Sequence, residues 1–343
     1  MRRIRYPKAR AIGVAAAILG GLALAGCGGD GPVDPSLVLY NGEHPQLTSQ
    51  LVQAFTRQSH INVRVRTGDG IVLADQILQE GTSSPADVYL TENSPELMNL
   101  EAHGLLARLP AGVLDQVPAR DHSPATEWVG VALRVSTLAY DPARISPSQL
   151  PRSVVQLAQR QWKGRIALAP TDSDFPPVVG AVIATYGKNA AAGWLAGIKR
   201  NAQTYQDEEA VVAAVNRGDV AAGLVNQYYW YRLRVELGQK ATRSRLYYFP
   251  DHNPGSIENI AGAAVLASSK HRQAAQALIR FLTSVAGQRI LAASYDFEYP
   301  AHPEVAPNPT LPPLSSISPA TLSPAALGTD RTAVQLIEQA GLT

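Results

Sequence analysis

Tyr228 and Tyr229 stand side by side in Val225-Asn226-Gln227-Tyr228-Tyr229-Trp230-Tyr231, a stretch holding three of the chain's thirteen tyrosines and one of its four tryptophans. A phenol that gives up its proton becomes a hard anionic oxygen ligand. Neighbours on a helix point ~100° apart, close to the ~90° between adjacent ligands of an octahedral metal, so the pair can grip one ion. Packing of a helix onto a sheet accounts for the same residues. Trp230 and Tyr231 suit that role, and on this segment alone packing is the favoured reading for the pair too. His44 and Glu92 are the next residues with chemical potential, because each follows a predicted strand end. Taken singly, His44 reads better as a loop histidine and Glu92 as a solvated carboxylate.

The elements that would position these groups follow from periodicity. The apolar run 221–225 reads as a buried strand, and Asn226 is placed to cap a helix that carries the tyrosines and stops at Gly238. Residues 37–40 read as a strand, followed by a helix with Leu47, Leu51, Ala54 and Phe55 on one face. Ile61, Val63 and Val65 alternate as a second strand, 71–78 forms a helix, and 86–90 a third strand. That β-α-β-α-β order predicts a doubly wound parallel sheet, which binds ligands beyond its strand ends. Gly68 and Gly70 begin a Gly-x-Gly pattern, but Leu73 occupies the third glycine position, which argues against a nucleotide fingerprint.

Val129, Val131, Leu133 and Val135 alternate along a strand long enough to leave one lobe for another. Beyond it, 153–161 reads as a helix and 165–169 as a strand. Thr171-Asp172-Ser173-Asp174 then precedes Pro176-Pro177 and an apolar helix ended by Gly187. Further helices are expected over 190–199 and 208–216. In Leu246-Tyr247-Tyr248-Phe249 a second tyrosine pair falls in a strand, where its members must face opposite ways. Residues 260–266 read as a second crossing strand and 273–282 as an amphipathic helix. A Pro- and Ser-rich tail over 303–328 precedes a last helix over 333–340.

The N-terminus carries an address. Arg2, Arg3, Arg5, Lys8 and Arg10 precede an apolar run over 11–24, the pattern of a secretory signal too short to span a membrane. Leu24-Ala25-Gly26-Cys27 resembles the bacterial lipobox, and Cys27 is the chain's one cysteine, so residues 1–26 are read as signal peptide, Cys27 as the lipidated residue and 27–35 as a tether. Removing those five basic side chains takes the formal charge from +2 to −3. The basicity therefore belongs to the targeting segment and offers no case for nucleic-acid binding. The 317 residues after Gly26 suit two lobes.

Tyr40-Asn41-Gly42-Glu43-His44, Ala86-Asp87-Val88-Tyr89-Leu90-Thr91-Glu92, Gln161-Trp162-Lys163-Gly164-Arg165-Ile166, Asn226-Gln227-Tyr228-Tyr229-Trp230-Tyr231, Ser244-Arg245-Leu246-Tyr247 and Gly262-Ala263-Ala264-Val265-Leu266 occur in this order. Together they resemble the bacterial periplasmic ferric-ion-binding proteins, the substrate-binding components of iron(III) ABC importers, over nearly the whole chain beyond residue 37. The resemblance implies an α/β, two-lobed periplasmic-binding-protein fold, each lobe a mostly parallel sheet flanked by helices, with two crossing strands as hinge. One lobe would hold 36–134 with 263–302, the other 135–262 with 303–343. It also implies that His44 and Glu92 from one lobe meet Tyr228 and Tyr229 from the other around Fe³⁺. Two phenolates and a carboxylate would balance the ion's three charges, and acid should release it, since each phenol must lose its proton to bind.

In many members, small neutral residues before the proline-rich helix hold a synergistic phosphate or carbonate. Here those positions are Asp172, Ser173 and Asp174, whose carboxylates would compete with an anion for the helix start. The expectation is an exogenous anion that is weak, absent or replaced by water, with the aspartates otherwise acting as caps. Arg134 matches a family arginine near the site and could balance an anion or the aspartates; Asn226 matches an anion-contacting position. The implied partners are an ABC permease and its ATPase. Membrane contact would come through the lipid anchor alone, on the outer face of the cell membrane or in the periplasm, with the protein a monomer. The same clamp holding a phosphonate, sulfate or iron chelate is the competing reading. No Gly-x-Ser-x-Gly elbow, phosphate-binding Gly-Lys-Ser/Thr loop or His-Glu-x-x-His is present, so an enzyme is not expected.

Overall fold

Alternating apolar strands and amphipathic helices fold into a mixed sheet covered by helices. The computed structural model describes residues 36–343; the expected signal peptide, Cys27 and the tether lie outside them. Among the described residues no helix is long and apolar enough to cross a membrane. The strands are β1 (Ser36–Gly42), β2 (Asn62–Thr67), β3 (Val88–Thr91), β4 (Leu106–Ala107), β5 (Trp128–Tyr140), β6 (Ile166–Leu168), β7 (Ala202–Thr204), β8 (Ala222–Asn226), β9 (Arg245–Tyr247), β10 (Glu258–Leu266) and β11 (Tyr299–Pro300). They run in the order β2-β1-β3-β10-β5-β8-β6-β7, with β4 beside β10 and with β9 and β11 beside β5.

β2, β1 and β3 are parallel, as are β7, β6 and β8, so each half is the doubly wound unit expected. β5 joins them. Its residues up to Val135 pair with β10, and Ser136 to Tyr140 pair with β8 on one side. All thirteen of its residues are buried, so both faces are covered, and between Val129 and Leu133 the strand is a continuous run of small and apolar residues, not a strict alternation. β10 returns the chain from one half to the other. Ile257 belongs to the core around Leu138, Trp162 and Leu224, whereas Ala261, Ala263 and Val265 belong to the core around Leu37, Leu51 and Val129. This is the two-lobed α/β arrangement.

One local expectation is corrected here. Residues 153–161 do not form an α-helix but two short 3₁₀ turns, Val154–Ala158 and Arg160–Trp162. Side chains take the carbonyls that helical amides would need: Trp194 Nε1 donates to Val154 O at 3.0 Å, and Asn201 Nδ2 donates to Leu157 O at 2.9 Å and Gln159 O at 2.8 Å. Gly70, seen in the sequence as part of a broken glycine pattern, serves a close approach. A Cβ on Gly42 would lie 2.7 Å from Gly70 Cα, so the end of β1 and the helix Gly70–Glu80 touch backbone to backbone.

Candidate metal centre

β1 ends at Gly42, and the two residues after it are Glu43 and His44. Asn41 fixes this turn. Its Oδ1 accepts from Glu43 N at 3.3 Å and Thr48 Oγ1 at 2.8 Å, and its Nδ2 donates to Glu43 O at 2.8 Å. Glu43 Oε1 in turn accepts from His44 N at 2.7 Å. The parallel neighbour β3 ends at Thr91 and delivers Glu92 to the same edge. Glu43, His44 and Glu92 each offer one ligand atom within 4.8 Å of the others, the one such triad of His, Cys, Asp and Glu among the described residues. His44 Nδ1 lies 3.1 Å from Glu92 Oε1, and His44 Nε2 is buried without a hydrogen-bond partner. Burial, then the nearby Arg232 and Arg134 charges, hold the imidazole well below its ordinary pKa. It is therefore neutral at pH 7, with a nitrogen lone pair to give.

The opposite side is built at the end of β8. The helix Gln227–Leu237 starts where expected, but Asn226 does not cap it with its side chain. Asn226 Oδ1 accepts from Ser136 Oγ at 3.3 Å and its Nδ2 is buried without a partner, while the carboxylate of Glu208 accepts from Asn226 N at 2.5 Å. Gln227 pins the first turn to the rest of the sheet: its Oε1 accepts from Val135 N at 2.6 Å and its Nε2 donates to Phe297 O at 3.0 Å. Tyr228 is fully buried, and its ring meets His44 edge-on with centroids 4.9 Å apart. Tyr229 is half-buried with its ring 4.1 Å from that of Tyr228. Arg232, one helical turn on, lies 4.9 Å above Tyr228 and 6.0 Å from the Tyr229 ring, and its other side pairs with Asp296. Trp230 and Tyr231 pack: Trp230 Nε1 donates to Ser244 O at 3.2 Å, and Tyr231 stacks on Phe297.

Arg134 sits between the two sides, fully buried at the point where β5 changes partners. Its Nη1 is 3.3 Å from Glu92 Oε2 and from Glu298 Oε1, and its Nη2 is 3.1 Å from Asp174 Oδ1. Asp174 Oδ2 accepts from Tyr228 Oη at 3.0 Å. Asp174 precedes the helix Phe175–Tyr186 without capping it by its side chain. Asp172 behaves as a cap, though of other amides: its Oδ1 accepts from Asp174 N and its Oδ2 from Glu208 N, both at 3.1 Å. Ser173 contributes its carbonyl, which accepts from Asn93 Nδ2 at 3.2 Å across the cleft. Of the two balancing roles open to Arg134, the aspartate is the one occupied.

Carboxylates outnumber cations here, and burial raises Glu43, Glu92, Asp172 and Glu298. Asp172 is pushed up to about 7 by burial and then by Asp174; Glu298 rises to about 8 through burial, with Arg134 opposing. Glu43 and Glu92 are raised by burial, which Arg134 offsets in part. Burial first, then the charge of Asp174, pushes both tyrosine phenols well above their ordinary value. Burial would lower Arg134, but Asp174 and Glu92 hold it firmly protonated. The cavity thus presents neutral phenols, a neutral imidazole and several carboxyl groups that a strong cation would deprotonate. The donors are hard oxygens plus one nitrogen, with no thiolate.

Residues 37–295 match the family described as bacterial extracellular solute-binding protein. The chain belongs to that family. This solute-binding protein is 38% identical over 309 residues to an Fe(3+)-binding periplasmic protein of Serratia marcescens, covering 90% of this chain and 91% of the relative. It is 34% identical over 313 residues to the major ferric iron-binding protein of Neisseria meningitidis serogroup B, covering 91% and 94%. Among solved structures, iron-bound HitA from Pseudomonas aeruginosa superposes with a TM-score of 0.86 at 37% identity, covering 90% of this chain and 99% of that one.

The fold of this solute-binding protein brings His44, Glu92, Arg134, Asp174, Tyr228 and Tyr229 into one neighbourhood, with Asp172 and Asn226 at its edge. Sequence reasoning passed over Glu43, Glu208, Arg232, Asp296 and Glu298. Glu43 and Arg232 carried a usable signal, one adjacent to a strand-end histidine and the other four residues beyond Tyr228 on a helix. Glu208, Asp296 and Glu298 arrive from distant segments and had none.

Proposed function

We propose that this protein is the extracytoplasmic receptor of a ferric-iron importer, holding Fe³⁺ through His44, Glu92, Tyr228 and Tyr229 and handing it to an ABC permease driven by its ATPase. The observation that carries this reading is the meeting of His44 and Tyr228 across the cleft, with the buried His44 Nε2 free of any hydrogen bond beside Glu92. The relatives' names and the iron-bound structural neighbour point the same way. In this reading one lobe is 36–134 with 263–302 and the other 135–262 with 303–343. Cys27 tethers the exported monomer to the outer face of the membrane. Its role is binding and delivery, without catalysis.

The chemistry follows from the donor set. The ion displaces the phenol protons of Tyr228 and Tyr229, so that Tyr228 gives up its hydrogen bond to Asp174 when it becomes a ligand. Arg134 and Arg232 soften the repulsion among the carboxylates without occupying the ligand positions. Asp174 already occupies the guanidinium that an exogenous anion would seek, so iron should bind with no strict requirement for phosphate or carbonate. The excess of carboxylates also opposes a phosphonate or sulfate cargo.

Adding ferric ion as a weak chelate to the iron-free protein should produce the visible phenolate-to-iron charge-transfer band. Tyr228→Phe and Tyr229→Phe should each weaken or abolish it. A colourless wild type, or two variants that bind normally, would remove the site. A titration with and without phosphate tests the anion: affinity that appears only with phosphate defeats that part of the reading.

A further inference from the structure

Glu96 and Asp330 form a second group of buried carboxylates that the iron reading does not use. They line a cavity of about 40 Å³ together with Asp75, Asn99 and Thr329. Glu96 is 5% exposed and Asp330 8%. Neither oxygen of Glu96 has a hydrogen-bond partner, and Asp330 Oδ1 has none either. Burial and the charge of Asp330 outweigh the backbone amide of Glu96 itself and the charge of Arg134, which favour the charge of that carboxylate. No Lys, Arg or His lines the cavity. Buried carboxylates without a counter-charge are costly and call for protonation or a bound cation.

Size and donor type narrow the ligand. A water needs ~10–15 Å³ of such volume, so the cavity admits one ion with a water or two and excludes any organic molecule. Its polar lining consists of carboxylates, an amide and a threonine, the oxygen-rich environment that hard divalent cations prefer. Asp75 is exposed at the rim, where it marks an entry path.

The carboxylates come from segments far apart in the chain. Glu96 lies in the first turn of the helix Ser94–Ala102, which begins just after Glu92. Asp330 starts the helix Arg331–Gln339 in a left-handed conformation, φ +55°. A Cβ placed on Gly180 would be 3.7 Å from Asp330 Oδ1, so Asp330 also abuts the helix Phe175–Tyr186 that follows Asp174.

We propose that Glu96 and Asp330, with oxygens of Asn99 and Thr329 and with the Asp75 carboxylate at the rim, bind a single hard divalent cation of calcium's size, tying the helix after Glu92 to the C-terminal segment. Burial pushes Asp330 up to about 8, and burial followed by the charge of Asp330 raises Glu96, so protons compete with a cation for these carboxylates. The inference does not depend on iron binding.

Equilibrium dialysis of radioactive calcium against chelator-treated, iron-free full-length protein provides the test. One calcium per chain should bind, and Glu92→Gln should retain it. Glu96→Gln and Asp330→Asn should each weaken it at least tenfold, and the exposed Asp75→Asn, which puts no buried group at risk, severalfold. The two buried amide variants should also lose the rise in thermal midpoint that calcium gives the wild type. The proposal is overturned by no binding at 10 mM calcium as a rough upper limit, by loss of binding in Glu92→Gln, or by unchanged affinity in Asp75→Asn.

Discussion

Two Tyr-Tyr pairs occur in this chain, at 228–229 and 247–248. In the second, β9 sends Tyr247 toward the core around Trp162, where its hydroxyl donates to Pro151 O at 3.0 Å. Tyr248 turns the other way, into the cluster that contains Tyr40 and Trp128. Strand alternation splits that pair between two cores. The first pair begins a helix at a strand end, and both of its rings stay in one cluster, 4.1 Å apart, beside His44. The dipeptide is the same, so the backbone element decides whether it can act as one ligand. Surroundings differ too: carboxylates and two arginines gather round the helical pair, while the strand pair meets mainly apolar neighbours and a carbonyl.

That contrast can be broken most forcefully at Arg134, which has no counterpart near 247–248. Arg134→Leu would leave Glu92, Asp174 and Glu298 without their shared cation, and removal of one partner from a buried charge network costs about 3–5 kcal/mol. Urea unfolding of the iron-free protein should show a loss of that order; a loss under about 1 kcal/mol would mean the carboxylates stay protonated without it. Next in size is the affinity contrast. Tyr228→Phe and Tyr229→Phe should each lower ferric affinity at least about a hundredfold, since loss of even a supporting residue around a metal costs ~10–100-fold. Tyr247→Phe and Tyr248→Phe should leave it within about twofold. Competition with a chelator measures all four, and equal losses would erase the distinction between the pairs.

Much of this was legible because it is local. The strands β1, β2, β3, β5, β8 and β10, the helices after β1, β2 and β8, and the placement of His44, Glu92 and Tyr228 at strand ends all follow from local periodicity and strand order. Asn226 was read correctly as the start of a helix and wrongly as its side-chain cap, because its Oδ1 accepts from Ser136 Oγ of the neighbouring strand instead of a first-turn amide. Residues 153–161 were misread for the same kind of reason, their carbonyls being taken by Trp194 and Asn201. Glu298 and Asp296 lie far along the chain from Arg134 and Arg232, and no spacing rule links them. Short-range rules found the ligand candidates; the charges that tune them depend on tertiary contacts.

The pH dependence sharpens the comparison further. Burial and the carboxylates hold the phenols of Tyr228 and Tyr229 protonated well above neutrality, so the iron-free form carries at least two more protons than a form with both phenolates on the ion. Acid therefore favours the iron-free form, and affinity should fall by about a hundredfold or more per pH unit on acidification between roughly pH 8 and 6. Tyr228→Phe should reduce that slope by about one proton, to tenfold less change per unit, while Tyr247→Phe leaves it alone. The smallest effect belongs to the strand pair. Tyr247→Phe removes one half-buried hydrogen bond to Pro151 O, with an expected stability loss of about 1 kcal/mol. Burial also raises the Tyr247 phenol, yet its hydroxyl donates to a backbone carbonyl beside the core around Trp162, so no metal-linked proton is expected from it. If Tyr247→Phe changes the proton slope and leaves stability untouched, the element-based distinction between the two pairs fails.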